Sequence, residues 1–361
     1  MKGFLKKWLG PIIIVVTLTT VMIIGMVSGN LPKAVNAVLS ADPLCMALCV
    51  LCYFIYMMAG SMAVCSFLKR EGYHLRLRDS LSSMLTAIYY SNITPGATGG
   101  QPMQIAYLTK FGIPVGIGTS AIASFFIAWH VMRVVLLAGF GIFYRDFITQ
   151  NLGQYIPFLI MGFTYNVALV ILWLLFCFSK KPVELIVKLI GKLAEKFHII
   201  KNPQKTIESM QRTADKFHTS MTHLKNHKIE IFRQLFFGTV YVMALSSILY
   251  FAYRGIGLEG SSYGEILSMG FCQYISAAYM PTPGASGAQE GIFRLYFGSM
   301  MPGATLLAVM MIWRFMSYYL GLIVGAVANL IGRRNADKQK QENEENEKEK
   351  EQEQEYRQLS S

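Results

Sequence analysis

Thr94-Pro95-Gly96-Ala97-Thr98-Gly99-Gly100-Gln101-Pro102 is written a second time as Thr282-Pro283-Gly284-Ala285-Ser286-Gly287-Ala288-Gln289-Glu290, with six identities and two small-for-small exchanges in nine positions. Both copies lie inside strongly apolar sequence. There, proline and glycine break the helical ladder and strip carbonyl and amide groups of their intrahelical partners. In hydrocarbon each such group costs several kcal/mol, so broken backbone survives at membrane depth only where protein or a wet cavity satisfies it. A matched pair of interruptions in the two halves of a membrane protein points to a transport site. The two loops are therefore the expected site, and the rest of the chain is its scaffold.

Composition agrees. Of 361 residues, 53% are hydrophobic and 15% charged, which places the chain among polytopic membrane proteins. The six cysteines lie in or against apolar runs, so neither a disulfide framework nor a zinc ribbon is indicated. Cys45, Cys49 and Cys52 read as small buried side chains rather than metal ligands. A formal net charge of +12 would suggest nucleic acid in a soluble protein, but here it collects between apolar spans, where it reports topology instead.

Six spans are expected, at about 11–28, 44–68, 114–143, 156–178, 231–253 and 304–331, each of bilayer length. Residues 81–93 and 103–111 flank the first broken loop, and 266–280 and 292–300 the second. All four limbs are too short to cross, so each pair reads as a re-entrant helical hairpin. Short loops are expected at 29–43 and 144–155. Residues 180–230 hold eleven Lys/Arg against five Asp/Glu. Within them Leu185, Leu189, Leu193 and Phe197 recur near helical period, which suits an amphipathic helix on an anionic leaflet or a helical hairpin packed on itself. The charged, Gln-rich tail at 333–361 is expected to be disordered.

Lysine and arginine divide 26 against three between the two sides of this map, which puts both termini in the cytoplasm. The first hairpin then enters from the cytoplasm and the second from outside. Repeat 1 (about 10–145) and repeat 2 (about 155–332) are thereby related by inversion, within one transmembrane domain spanning 1–332.

The loops present backbone N–H groups and helix N-termini suited to anions. Thr94, Thr98, Gln101, Thr282, Ser286 and Gln289 add hydroxyl and amide partners, and Pro95, Gly96, Gly99, Pro283, Gly284 and Gly287 shape the backbone. Ionisable residues within spans are functional candidates by default. Arg133 and Arg314, each downstream of a loop, either converge on a lipid phosphate in the fork geometry of arginine or are structural, paired with Glu290 or snorkelling to the interface. Arg294, near a limb end, and His130, on an apolar helix, read as structural. No nucleophile with a base, metal-ligand spacing or nucleotide-binding loop is evident, so no catalytic residue, metal or cofactor is expected.

Pro281-Thr282-Pro283-Gly284-Ala285-Ser286-Gly287-Ala288-Gln289-Glu290-Gly291 resembles the P-x-P-G-x-x-G-x-x-E-G signature of the lysylphosphatidylglycerol synthase transmembrane-region family. The first phrase, with Asn92, Gln104 and Tyr107 around it, resembles that family's upstream motif, with Gln101 where many relatives carry Glu. The resemblance covers about residues 10–332. It implies a multi-pass protein of a bacterial-type cell membrane that moves an anionic or aminoacylated phospholipid, or another lipid-linked substrate, between leaflets. The family's lysyltransferase domain is not expected here. The alternative is a phosphatidylglycerol lysyltransferase, or an accessory subunit of one, linked to cationic peptide resistance; only this alternative brings in a nucleic acid, charged tRNA. A third reading is a membrane scaffold. The oligomeric state stays open, a homo-oligomer included.

Overall fold

The computed structural model describes residues 30–182, 185, 203–278, 280, 282–301 and 303–330. The expected first span, the tail at 333–361 and all but Leu185 of the Leu185–Phe197 stripe lie outside them. The described residues form α1 (Leu31–Leu39), α2 (Pro43–Arg70), α3 (Leu77–Ile93), α4 (Gly100–Thr109), α5 (Val115–Phe143), α6 (Arg145–Leu152), α7 (Ile156–Phe178), α8 (Pro203–Asn226), α9 (Lys228–Gly255), α10 (Tyr263–Ala277), α11 (Ala288–Phe297) and α12 (Gly303–Arg314). From α12 the chain passes through a π-helical turn, Phe315–Tyr319, and stays helical to Leu330. No strand occurs among the described residues. Five stretches are long and apolar enough to cross a membrane: α2, α5, α6 with α7, α9, and α12 with its continuation.

Local signals set the helix starts. Asp42 caps α2 by accepting from the N–H groups of Leu44 (3.3 Å) and Cys45 (3.2 Å), with Pro43 in the first turn, where its missing N–H costs nothing. Ser262 and Glu265 close a reciprocal capping box on α10.

At the centre α2 and α9 run antiparallel along their whole length. Asp42 N donates to Gly255 O, Cys49 Sγ lies 3.6 Å from Ile248 O, the hydroxyls of Tyr56 and Tyr241 bond at 3.0 Å, and Gln234 donates to Ala63 O at 3.0 Å. The contacts step by seven residues along each chain, the spacing of an interlocked helical seam. At its end Ser66 donates to the buried carboxylate of Glu230 at 2.9 Å.

Two expected loops are helices. Residues 31–39 form α1, whose buried Ala34 faces the core beside α12; Pro32 and Asn36 resemble breakers, but proline is tolerated in a first helical turn. Residues 145–152 form α6, anchored by Ile148 and Leu152.

The described part of the 180–230 insertion, α8, packs on the bundle. Phe217, Met221 and Leu224 join a core with Phe67, Leu68 and Ala121, and Ser220 Oγ donates to Glu71 at 2.7 Å. A methyl on Gly116 would lie 2.6 Å from the backbone oxygen of Thr213, so α5 and α8 meet backbone to backbone there.

Candidate functional site

The repeated phrase folds the same way twice. Residues Pro95–Ala97 and Pro283–Ala285 each make one 3₁₀ turn between two short helices. Gly96 and Gly284 share a left-handed conformation (φ 59° and 58°, ψ 22° and 21°), and Ala97 and Ala285 follow at φ 56° and 49°. These alanines are the only non-glycine residues with positive φ among those described, and such a conformation costs roughly 1–2 kcal/mol per residue. Strain kept at both copies by surrounding contacts is what a functional turn carries.

The copies diverge one step later. Thr98 and Gly99 stay helical, whereas Ser286 is extended and Gly287 takes φ 84°. In the first copy Thr94 Oγ1 accepts from Gly99 N at 2.9 Å and donates to Tyr90 O. In the second, Glu290 does this work: its Oε2 accepts from Gly287 N at 2.7 Å and its Oε1 from Arg314 Nε at 2.5 Å. Arg314 also reaches Gly284 O at 3.3 Å and Ser286 Oγ at 3.5 Å.

The two turns touch each other, and a clasp ties them. Asn92 Nδ2 donates to Tyr318 O (3.3 Å), while the Tyr318 hydroxyl donates back to Asn92 O (3.1 Å). Tyr318 stands in the π-helical turn, a distortion that often marks functional sites. Its ring also lies against Gly284, where an added Cβ would come within 2.1 Å of it.

Beside the clasp opens a cavity of about 710 Å³. Gly96, Thr98, Gln101, Thr282, Gly284 and Gln289 face it, as do Arg133 and Arg314, so most of the site residues expected from sequence surround one space. Thr94, Gly99, Ser286, Gly287 and Glu290 stand behind and hold the turns. Pro95 and Pro283 open them. Gln289 is further fixed by Gln273, whose Nε2 donates to its side-chain and backbone oxygens.

Of the two alternatives for the arginines, Arg314 forms the ion pair, with both partners buried (5% and 1% exposed). Arg133 lies about two helical turns further beyond its own loop, and it does not turn back. Its guanidinium is sandwiched between Tyr274 (3.6 Å to the ring centre) and Trp129 (4.6 Å). It makes no ion pair among the described residues, and its Nη1 is buried without a hydrogen-bond partner. His130 is packed on Trp129 and Phe126, and its Nδ1 is likewise buried without a partner. Arg294 is exposed on α11. No group of three metal-ligating side chains occurs among the described residues.

Sequence reading missed Tyr318, Trp129, Tyr274 and Gln273. Tyr318 and Tyr274 act across elements far apart in the chain, Gln273 acts from the other limb of its own hairpin, and Trp129, one turn from Arg133 on α5, does not stand out where aromatic residues are so frequent.

A family model described as lysylphosphatidylglycerol synthase TM region matches residues 8–325. Two relatives carry the description UPF0104 membrane protein. The chain is 23% identical to one from Methanocaldococcus jannaschii, over 75% of this chain and 80% of that protein. It is 19% identical to one from Archaeoglobus fulgidus, over 71% of this chain and 77% of that protein.

Proposed function

This chain belongs to the lysylphosphatidylglycerol synthase TM-region family, and from that premise we propose that it carries a lipid between leaflets. The substrate is an anionic or aminoacylated phospholipid, or another lipid-linked molecule, whose polar head enters the cavity where the two broken turns meet. One observation carries the reading. Two copies of a strained turn, 188 residues apart, converge on one cavity that also holds an arginine with no counter-ion among the described residues. Buried charge without a partner is costly, and an anionic ligand is what offsets it.

The antiparallel α2–α9 seam supports an inverted repeat, the architecture of alternating-access carriers. In this reading the α3–α4 and α10–α11 pairs are re-entrant, both termini are cytoplasmic, the membrane is the cell membrane, and the 180–230 insertion rests on its anionic inner leaflet. Arg133 and the loops contact the headgroup directly, while Arg314 and Glu290 hold the second turn.

Reconstitution tests it. In liposomes containing fluorescent phospholipid, dithionite should bleach the inner-leaflet fraction in a protein-dependent way, and the Arg133→Gln protein should lose this effect while remaining folded. Lipid that stays protected refutes transport. Formation of lysyl-lipid from charged tRNA by this chain alone would assign it to synthesis instead.

A further inference from the structure

The cavity has two unlike ends, and their charges constrain what it accepts. One end is aromatic and holds Arg133 between Trp129 and Tyr274. The other is the pair of broken turns, where Thr98, Gln101, Thr282 and Ser317 face the space as uncharged hydroxyl and amide groups.

No carboxylate lines either end among the described residues. Glu290 is the nearest acid to the turns, and both its oxygens are engaged, one by Arg314 and one by Gly287 N–H. Residues 1–29, outside the described part, contain neither Asp nor Glu. Aromatic faces could stand in for a carboxylate by holding an ammonium. Those of Trp129 and Tyr274 are already covered by Arg133, and those of Trp313 and Tyr318 lie against Arg314; the charge of Arg133 repels a second cation from the other aromatic rings of the lining.

Among the described residues Arg314 is neutralised and Arg133 is not, so their lining carries one net positive charge, matched by one negative charge on a ligand. Resting on the transport reading above, we infer that the substrate is a lipid with a phosphodiester and an uncharged, hydroxyl-bearing head. The phosphodiester sits on Arg133 and the hydroxyls on the two turns. An aminoacylated head is disfavoured, because its ammonium groups would enter beside the charge of Arg133 with no free acid among the described residues to receive them.

The full chain is reconstituted into vesicles holding equal amounts of phosphatidylglycerol and lysylphosphatidylglycerol with identical acyl chains, each in turn fluorescent. Two readouts are taken: the dithionite-accessible rate for each lipid, and the lipid retained by the protein in native mass spectrometry. We expect phosphatidylglycerol to move and to be retained at least tenfold in preference, and Arg133→Gln to bring it down to the lysyl level. Equal or reversed preference in retention overturns the inference, and transport of both lipids would then leave the transport reading standing. Selective, Arg133-dependent retention with no movement of either lipid keeps the headgroup assignment and removes transport. Displacement of the retained lipid by millimolar glycerol 3-phosphate makes the ligand a soluble phosphate ester and overturns the lipid assignment. Tryptophan fluorescence and gel-filtration profiles of Arg133→Gln and Arg133→Lys verify folding, and Arg133→Lys should keep part of the preference because it keeps the charge.

Discussion

Replacing Glu290 by Gln keeps the shape of the second turn and removes one charge of a buried pair. Gly287 N–H keeps an oxygen to bond, but Arg314, 5% exposed, is left with Gly284 O at 3.3 Å and Ser286 Oγ at 3.5 Å as its acceptors. Breaking a buried pair on one side costs about 3–5 kcal/mol, because an uncompensated charge remains. Arg314 borders the cavity, where water can reach it, so the expected loss lies near 3 kcal/mol. Taking both partners away, with Glu290→Gln and Arg314→Met, should cost clearly less than the sum of the single changes. Arg133→Gln should have the opposite sign, since it removes a buried cation that has no acid beside it among the described residues; a neutral or slightly stabilised protein is expected. Unfolding in mixed micelles, followed by tryptophan fluorescence against denaturing detergent, gives all four values. A Glu290→Gln protein within 1 kcal/mol of wild type, or an Arg133→Gln protein as damaged as it, would refute the contrast drawn between the two arginines.

Three further outcomes are expected. Gly284→Ala must hold φ 58° with a Cβ only 2.1 Å from the Tyr318 ring, so the Asn92–Tyr318 clasp should open and the yield of folded protein fall; the corresponding Gly96→Ala, with nothing nearer than 3.8 Å, should lose only about 1–2 kcal/mol to strain. Tyr56→Phe or Tyr241→Phe alone leaves a buried hydroxyl without its 3.0 Å partner, costing about 1–3 kcal/mol, and the double replacement should be milder than either sum, read from a double-mutant cycle. Asp42→Ala should cost about 0.5–2 kcal/mol through the lost cap of α2 and Asp42→Asn much less, measured in the same unfolding assay.

Much of the scaffold could be read from the chain because bilayer length and apolar runs are local properties. The limits of α2, α5, α7 and α9 fall close to those read from hydropathy alone. The doubled phrase marked both broken turns, since the same Pro-Gly-Ala takes the same backbone in each copy, and Gly96 and Gly284 differ by one degree in φ and ψ. The partnership of Glu290 with Arg314 was among the alternatives that ionisable residues in spans allow. What decided it is geometric: Arg314 stands close enough along its helix to fold back on its own turn, and Arg133 does not. The contact of Tyr274 with Arg133 and the grip of Tyr318 on Asn92 join residues more than a hundred positions apart, which no local pattern records. α1 was hidden because Pro32 reads as a stop, although at a helix start it is an ordinary first-turn residue.

The antiparallel α2–α9 seam limits how the halves of this protein can shift. Side chains that interlock every seventh residue oppose a lengthwise slip, because all the teeth would have to disengage together before the next register could be gained. Rolling one helix over the other loosens only the flanks of the contact and leaves Tyr56 facing Tyr241 near the pivot. The displacement that the seam opposes least is therefore a tilt of α2 on α9 about their midpoint, where Tyr56 meets Tyr241.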